Sequence, residues 1–404
     1  SDYLPEVFYG RFSASTVGEL LPQINKTLQY EQFLMPDPSY LREVVMVAGA
    51  DASHQQKWGN GQVNYGARYY FNESHNLVPH IYLQPEAAGG NYSANIQSNI
   101  SQGVAFASYS AHASSEGWAD PTFTISDVGK LQNAGKYGLI VGNGCQTNAF
   151  DQNSFGEALL RAENKGALGY IGASGLSYWD EDYWWSVGNG SIVSNPTYEN
   201  TGPGAYDRIF HDHGELRSEW YSTMGQMVFA GNLAVQESNS EMKKLYWESY
   251  CLMGDPSTMI YFGIPSVLKA EYNSLLPLQA LTFQVRTEAF ALVAISKNNI
   301  LHGVAEADEN GLAVIPLLPF TEPGYANIVA TLQNRQPFID SVRVETPRGS
   351  YLAIKDVVIK DQEGNSNNLP ETGEPLNITV SIENFGNSDA LNAKSVLSTS
   401  DSYL

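Results

Sequence analysis

The chain has 404 residues, of which 43% are apolar and 16% are charged. This composition supplies enough apolar side chains for a packed core and excludes an intrinsically disordered protein. The 43 acidic residues outnumber the 22 basic ones and give a formal net charge of −21. That charge excludes nucleic acid and anionic membranes as partners and mildly favours cationic ones, although most of it is ordinary solvated surface.

Cysteine usage and hydropathy further restrict the class of protein to which the chain can belong. The only cysteines are Cys145 and Cys251, so no disulfide framework holds the chain together. No apolar run reaches the roughly 18 residues that a transmembrane helix needs. The sequence starts at Ser1 without a signal peptide, so we expect a chain without a transmembrane segment that has been processed or cut from a longer precursor.

Short apolar runs in the first half of the chain predict buried strands. Between and after them lie amphipathic helical patterns at residues 17–33, 155–164 and 242–253. This alternation is typical of a mainly parallel α/β sheet covered by helices on both faces. The four apolar runs occupy residues 44–47, 104–107, 138–141 and 167–171.

Three of the apolar runs are followed by residues that together can perform nucleophilic catalysis. Asp51, His112 and Cys145 each follow a run, and the fourth run ends near Ser174. Because ligands of parallel sheets gather at the carboxyl ends of the strands, we expect the three side chains to meet at one edge. A histidine there can take the proton of a thiol. The alternatives are an inert buried cysteine, a structural histidine, and His54 in place of His112 as the base.

After residue 265 the pattern changes to short alternating strands at 281–286, 289–296, 311–317 and 325–332. We therefore predict an immunoglobulin-like β-sandwich over residues 265–348, with Asn310-Gly311 as a hairpin turn. Residues 349–404, in which 376–382 alternate, predict the start of a further β-module that is truncated or packs on its neighbour. Residues 369–373 match a sortase signal, but no apolar tail follows, and a loop is the favoured interpretation.

Other polar residues carry weaker hypotheses. His211 and His213 alternate in a way that suits metal binding from one strand face, but a surface loop is the stronger interpretation. Cys251 lies on an apolar helix pattern, which predicts a packed core position. Loop oxygens of this acidic chain are numerous, and their spacing assigns no metal ligand.

Several stretches around the candidate triad resemble the gingipain family of cysteine peptidases, relatives of the caspases, and most closely its lysine-specific branch. The resemblance runs from residue 2 to residue 256 and continues less tightly through the sandwich. The matching stretches are Ala48-Gly49-Ala50-Asp51, Tyr109-Ser110-Ala111-His112, Trp118-Ala119-Asp120-Pro121, Gly142-Asn143-Gly144-Cys145, Phe155-Gly156-Glu157, Tyr178-Trp179-Asp180-Glu181-Asp182-Tyr183-Trp184-Trp185-Ser186-Val187-Gly188 and Ala230-Gly231-Asn232-Leu233-Ala234.

This resemblance implies a caspase-like α/β/α sandwich over residues 1–264 and a role for each triad residue. Cys145 is the expected nucleophile, His112 the general base and then acid, and Asp51 the group that orients the imidazole. The backbone N–H groups of Cys145 and Ala113 are the expected oxyanion hole. The family has glycine where this chain has Ala113. If that position takes a positive φ, alanine costs about 1 kcal/mol or more and reshapes the hole.

The resemblance also implies a specificity pocket. Asp182 matches the acidic residue that holds the basic side chain on the amino-terminal side of the cut, where a desolvated carboxylate pairs with an ammonium. Ser110 matches a hydroxyl residue that helps there, and Trp179 is expected to cover the aliphatic stem of the substrate side chain. Simple solvation is the alternative for Asp182. Ser110 replaces a bulkier hydroxyl residue, so lysine is favoured over arginine only slightly.

We therefore expect a secreted cysteine endopeptidase, extracellular or on the bacterial surface, that cleaves proteins or peptides after lysine or arginine. It needs no cofactor for its chemistry, while the resemblance implies structural calcium or sodium. It also implies a non-covalently attached amino-terminal fragment of the same precursor. The alternatives are a catalytically weak or inactive surface protein that binds peptides or glycans, for which Ala113 is the main argument, and an acyltransferase with the same three residues.

Overall fold

A computed structural model describes residues 3–87, 90–360 and 375–396. The match to a sortase signal at residues 369–373 lies outside these ranges. The chain forms two compact units, one comprising residues 1–266 and 333–335 and the other residues 267–332 and 336–404. Across the described ranges, none of the helices has the length and apolar character required to cross a membrane.

A six-stranded sheet forms the centre of the first unit. Its strand order is β2-β1-β3-β7-β8-β9, and every neighbouring pair is parallel except β8 with β9. Three short strands, β4 to β6, form a separate antiparallel sheet. The strands are β1 (Glu43–Ala48), β2 (Val78–Tyr82), β3 (Phe106–Ser110), β4 (Ala113–Ser114), β5 (Gly117–Trp118), β6 (Phe123–Thr124), β7 (Leu139–Asn143), β8 (Gly169–Ala173) and β9 (Tyr250–Met253).

The apolar runs are continuous because the sheet is buried on both faces. In β1, Val44 and Met46 belong to one core cluster, while Val45 and Val47 belong to another. Successive side chains of a strand point to opposite faces, so each face needs its own apolar set. The predicted mainly parallel α/β architecture is confirmed.

Helices supply the layers that cover the sheet. Their starts carry the expected caps, such as Thr16, whose hydroxyl accepts the Glu19 N–H, and Ser154 with Glu157 in a capping box. The α-helices are α1 (Val17–Glu31), α2 (Asn60–Tyr69), α3 (Gly90–Gln102), α4 (Ile125–Val128), α5 (Phe155–Arg161), α6 (Trp179–Val187), α7 (Tyr198–Thr201), α8 (Ala205–Phe210), α9 (Met224–Glu237) and α10 (Lys243–Ser249). Shorter helical turns are the 3₁₀ segments Pro38–Arg42, Glu73–His75 and Arg217–Glu219 and the π segment Gln55–Gly59.

The helix predicted over residues 242–253 is wrong in its last four residues. Helix α10 ends at Ser249, and the next four residues form β9, which pairs with β8. Cys251 therefore lies on a strand, although it is buried as expected, and burial raises the pKa of its thiol to about 12. An apolar run of four residues fits a buried helix or a buried strand equally well, and pairing with β8 decides between them.

The second unit contains a β-sandwich. One sheet has the order β11-β13-β16 and the other β12-β19-β17-β14-β15. Apolar side chains from both sheets, including Phe283 and Ile315 from the first and Val293 and Ile328 from the second, share one core. The strands from residue 266 onward are β10 (Ser266–Val267), β11 (Glu271–Tyr272), β12 (Leu275–Pro277), β13 (Thr282–Arg286), β14 (Leu292–Lys297), β15 (Ile300–Glu306), β16 (Leu312–Pro316), β17 (Gly324–Thr331), β18 (Arg335–Gln336), β19 (Phe338–Glu345), β20 (Leu352–Lys360) and β21 (Asn377–Asn384).

The hairpin predicted at Asn310-Gly311 is wrong. The turn exists, with Gly311 at φ 76°, but it joins β15 to β16, which belong to different sheets. The tight hairpin lies at Asn298-Asn299, where both residues have positive φ and connect β14 to β15. Further along, β20 and β21 form a two-stranded antiparallel sheet.

Candidate active site

The register of two parallel strands brings the segments of His112 and Cys145 together. Ser110 of β3 lies opposite Asn143 of β7, and the Ala111 N–H donates to the Asn143 carbonyl over 3.1 Å. His112 and Cys145 each follow two residues later, and neighbouring strands lie about 4.8 Å apart. Both side chains therefore leave the same edge of the sheet.

Cys145 lies on a sharp turn directly after β7. The next residue, Gln146, has φ 59°, and its N–H donates to the Gly175 carbonyl over 2.7 Å. The partly exposed sulfur faces the main chain of Ser177, whose N–H lies 3.5 Å and whose carbonyl oxygen lies 3.6 Å from Sγ. The sulfur therefore has a main-chain donor and a main-chain acceptor on the same residue, Ser177.

His112 is bound to Asp51. Its Nε2 lies 2.8 Å from Asp51 Oδ2, and its side chain is 60% exposed. The carbonyl of His112 accepts hydrogen bonds from the Tyr109 hydroxyl at 2.7 Å and from the Ala119 N–H at 3.1 Å. With Nε2 donating to the carboxylate, Nδ1 is the ring nitrogen left to accept a proton.

The Asp51 carboxylate is shared between two histidines. His54 Nδ1 lies 2.9 Å from Asp51 Oδ1. Burial raises the pKa of the Asp51 carboxyl, but hydrogen bonds from His112, His54 and two backbone N–H groups outweigh burial and hold that pKa well below its usual range. Among the described residues, no hydrogen bond joins Cys145 to His112 or to His54.

Asp182 is a buried carboxyl group that Ser177 connects to Cys145. It lies in α6 and is 5% exposed. Ser177 Oγ donates to Asp182 Oδ2 over 2.8 Å, and the Tyr246 hydroxyl donates to Oδ1 over 2.7 Å. Burial raises the pKa of Asp182 to about 7 against the opposing effect of these two hydrogen bonds, and the neighbouring Glu181 adds to the rise.

Ser110 belongs to a buried polar network below the site. Its Oγ accepts the Gln62 Nε2–H over 2.7 Å, and Gln62 Oε1 accepts from Asn143 Nδ2 over 2.8 Å. Asn143 Nδ2 also donates to Ser186 Oγ at 2.8 Å and to the Asp182 carbonyl at 3.3 Å. Two bridging amides thus connect Ser110 to the backbone of Asp182.

With this geometry established, comparisons with known proteins identify the family. The model of peptidase family C25 matches residues 1–261. The chain belongs to this family of cysteine peptidases.

Individual relatives agree with this assignment. Lys-gingipain W83 of Porphyromonas gingivalis is 37% identical over 357 residues, which cover 86% of this chain and 20% of that protein. This chain therefore spans about a fifth of the length of that curated relative. A solved structure named "Structure of Protease" superimposes with a TM-score of 0.79 at 37% identity, over 85% of this chain and 76% of that one. The crystal structure of the Arg specific cysteine proteinase gingipain R, at 20% identity, covers the same shares with a TM-score of 0.71 and shows a common fold.

Ala113, the residue that departs from the family pattern, does not adopt a positive φ. It lies in β4, pairs with Trp118 and is absent from the residues with left-handed backbone. The conformational cost considered for alanine therefore does not arise. The methyl group of Ala113 packs against Gly144. A Cβ atom added to Gly144 would lie only 2.7 Å from that methyl carbon.

Trp179 contacts both histidines that bind Asp51. Its indole stacks on the His54 ring with centroids 4.8 Å apart and an interplanar angle of 4°. It also meets the His112 ring edge to face at 5.4 Å. The predicted contact with the stem of a substrate side chain stays a prediction.

The predicted structural calcium or sodium stays a prediction as well. In the part of the chain that the structure describes, no three His, Cys, Asp or Glu side chains gather closely enough to hold a metal ion, so no side-chain ligand can be named. His211 Nε2 instead pairs with Gln333 Oε1 at 2.7 Å, and His213 stacks on Tyr198 with centroids 3.6 Å apart.

Sequence reasoning missed Ser177 and Tyr246. Ser177 lies in the loop after β8, the strand next to β7, so its place beyond that run was a usable signal. Tyr246 lies in α10, 64 positions after Asp182. No local sequence pattern predicts its contact with that carboxyl group.

Proposed function

We propose that this chain is the catalytic part of a secreted cysteine endopeptidase that cleaves peptide bonds after lysine, with arginine as the second choice. Membership of peptidase family C25 supports the reaction class. The observation that carries the specificity is that Ser177 contacts both the sulfur of Cys145 and the carboxylate of Asp182. The buried carboxyl group of Asp182 is thus connected to the candidate nucleophile through a single residue, Ser177.

In the proposed reaction, His112 Nδ1 takes the proton of the Cys145 thiol. The sulfur electron pair attacks the scissile carbonyl carbon, and the C=O π electrons move to the oxygen. Asp51, bound to His112 Nε2 at 2.8 Å, stabilises the imidazolium that forms. The backbone N–H groups of Cys145 and Ala113 then donate to the new oxyanion.

The tetrahedral intermediate collapses when the C–N bond breaks. His112 gives its proton to the departing amine, which leaves an acyl thioester on Cys145. A water molecule, deprotonated by His112, attacks this thioester, and the C–S bond breaks to release the carboxyl product. The thiolate recovers the proton from His112, so no other reactant is consumed.

Asp182 selects the side chain before the cut. Its carboxyl group is buried and has one donor on each oxygen, so each oxygen retains acceptor capacity for an ammonium. Desolvated charges interact strongly, and a charge-assisted hydrogen bond to lysine offsets the burial of the carboxylate. Ser110, through Gln62 and Asn143, supports the backbone at Asp182.

We infer protein or peptide substrates with basic residues, an extracellular or bacterial surface location, and a non-covalently attached amino-terminal fragment of the same precursor. The last two are checked by detecting the protein in the culture medium and by isolating two co-purifying chains from the expressed precursor.

The direct test uses chromogenic peptides that carry Lys, Arg, Asp or Ala before the leaving group. Under reducing conditions the protein should hydrolyse the lysine peptide fastest, and Cys145→Ala should abolish turnover. Cys251→Ala is the matched control because Cys251 is buried with a raised pKa, and it should retain activity. Turnover that survives Cys145→Ala would contradict the proposal.

The same experiment separates the alternatives. Absence of all turnover, with retained binding of peptides or glycans, would favour a non-catalytic surface protein. The extended backbone of Ala113 removes the conformational argument for that alternative. Transfer of the acyl group to an added amine in preference to water would favour an acyltransferase.

A further inference from the structure

The imidazole rings of His54 and His112 both form hydrogen bonds with the carboxylate of Asp51. We propose that His54 is a positioning residue of the triad, which holds Asp51 so that its second oxygen faces His112. This inference rests on the proposed function and adds a residue to it. His54 does not touch the reacting atoms in this scheme.

The hydrogen bonds to Asp51 are distributed unequally between its two oxygens. Oδ1 accepts the backbone N–H groups of Ser53 and His54, both at 2.8 Å, and His54 Nδ1 at 2.9 Å. Oδ2 accepts His112 Nε2 at 2.8 Å. Three donors on one oxygen oppose rotation of the carboxylate, so the other oxygen is held in place for His112.

The His54 ring is itself held between aromatic side chains. Trp179 stacks on one face at 4.8 Å, and Trp58 approaches at 4.8 Å with an interplanar angle of 64°. The Trp58 Nε1–H donates to Asp180 Oδ1 over 2.7 Å. Because His54 has few alternative positions, its Nδ1–H can direct the carboxylate with little loss of side-chain entropy.

Trp179 extends the same arrangement to the base. The indole that stacks on His54 also meets the His112 ring edge to face at 5.4 Å. His112 is thus located by Asp51 on one nitrogen and by Trp179 on its ring, and His54 contacts both of these neighbours. Removing the His54 hydrogen bond should let the imidazole of His112 leave its productive orientation.

Two substitutions separate the hydrogen bond of His54 from its ring stacking. His54→Asn places an N–H donor near the position of Nδ1 without an aromatic ring, whereas His54→Phe keeps the ring without the donor. We expect His54→Phe to lower kcat on a lysine peptide about tenfold, the effect of one lost hydrogen bond to a charged group, with KM changed less than about twofold. His54→Asn should restore kcat to within about threefold of the wild type.

A matched control exists at another histidine–carboxylate pair. His80 Nε2 lies 2.8 Å from Glu43 Oε2, and its side chain is 34% exposed, against 35% for His54. His80→Phe should leave kcat unchanged. If His54→Phe keeps full kcat, or His54→Asn falls as far as His54→Phe, the inference is overturned.

A second measurement distinguishes failure of this inference from failure of the proposed function. The alkylation rate of Cys145 by iodoacetamide depends on the thiolate that His112 and Asp51 support, and it requires no peptide turnover. His54→Phe should slow this alkylation and His54→Asn should not. If the wild-type protein cleaves no peptide but the alkylation rates of the variants show this pattern, the proposed protease activity is refuted and the role of His54 is retained. Equal alkylation rates in all three proteins would overturn that role.

Discussion

The hydroxyl of Ser177 donates to Asp182 over 2.8 Å, while the main-chain N–H of the same serine lies 3.5 Å from the sulfur of Cys145. One residue therefore touches the proposed nucleophile with its backbone and the proposed specificity group with its side chain. Substitutions of the side chain can change the pocket without removing the contact to the sulfur.

The substitution Ser177→Ala should reduce selectivity for lysine. Without the hydroxyl, the carboxylate of Asp182 loses one of its two side-chain donors, and a hydrogen bond to a charged group contributes about 1.5–3 kcal/mol. We expect kcat/KM for a lysine peptide to fall at least about tenfold relative to an alanine peptide. The alkylation rate of Cys145 is the control, and a parallel fall in that rate would show that the serine acts on the sulfur instead.

Cleavage after lysine should depend on pH through Asp182, whose pKa burial raises to about 7. Below that pH the carboxyl group is neutral and cannot pair with an ammonium, whereas a lysine side chain stays charged up to about pH 10. The ratio of kcat/KM for lysine to alanine peptides should therefore rise about tenfold from pH 6 to pH 8.

Both peptides use the same proposed nucleophile and base. Titration of those groups therefore changes the two kcat/KM values equally and cancels in their ratio. In Asp182→Asn the group at this position no longer titrates, so the ratio should be low and flat over the same range. A ratio in the wild type that does not change with pH would exclude Asp182 as the partner of the ammonium.

The substitution Ala113→Gly tests whether the departure from the family pattern impairs catalysis. Ala113 has extended backbone in β4, so glycine relieves no strain and adds freedom to the unfolded chain. We expect kcat to stay within about twofold and the free energy of unfolding to fall by about 0.5–1 kcal/mol. A severalfold gain in kcat would show that the methyl group obstructs the oxyanion hole.

Lys26 makes a structural contribution that can be measured apart from activity. It is 4% exposed, and its Nζ donates to the carbonyl oxygens of Leu159, Ala162 and Lys165 at 3.0, 3.3 and 3.2 Å. Lys26→Met keeps the length of the side chain and removes the ammonium donor from three carbonyl oxygens, of which the Leu159 oxygen still accepts the Ala167 N–H at 3.1 Å. Denaturant unfolding should show a loss of about 3 kcal/mol.

An exposed lysine provides the comparison for this change. Lys130 pairs with Asp127 at 2.9 Å but is 72% exposed, and surface pairs contribute little. Lys130→Met should change the free energy of unfolding by less than about 0.5 kcal/mol. Equal losses for the two substitutions would contradict the role given to the buried lysine.

The sequence determined the architecture of the first unit and the neighbourhood of the candidate triad. Continuous apolar runs predict strands that are buried on both faces, and parallel strands place their carboxyl ends at one edge. Asp51, His112 and Cys145 follow such runs, so the prediction that they gather depends on local pattern and on a general rule of sheet topology. The family resemblance supplied the role of each residue, and the family itself is confirmed.

The sequence did not resolve local patterns that fit two different kinds of secondary structure or connection. The run that contains Cys251 suits a helix or a strand, and hydrogen bonds to β8 make it β9. Asn310-Gly311 suits a hairpin, but the strands on either side join different sheets. In the first case the deciding partner, β8, lies far away in the chain, and in the second the partner of β16 is β13, with two other strands between them. Local periodicity carries no information about either pairing.

The fine structure of the site was decided by tertiary contacts. Tyr246 reaches Asp182 from another helix, and Trp179 reaches the rings of His54 and His112 from α6. Their effects, a carboxyl group with a raised pKa and two imidazoles next to one indole, depend on burial and on distances of a few ångströms. The sequence by itself determined which strands carry the candidate residues to one edge of the sheet. Only the folded chain decided which of them are buried, paired or exposed, because desolvation and hydrogen bonding depend on every element packed around them.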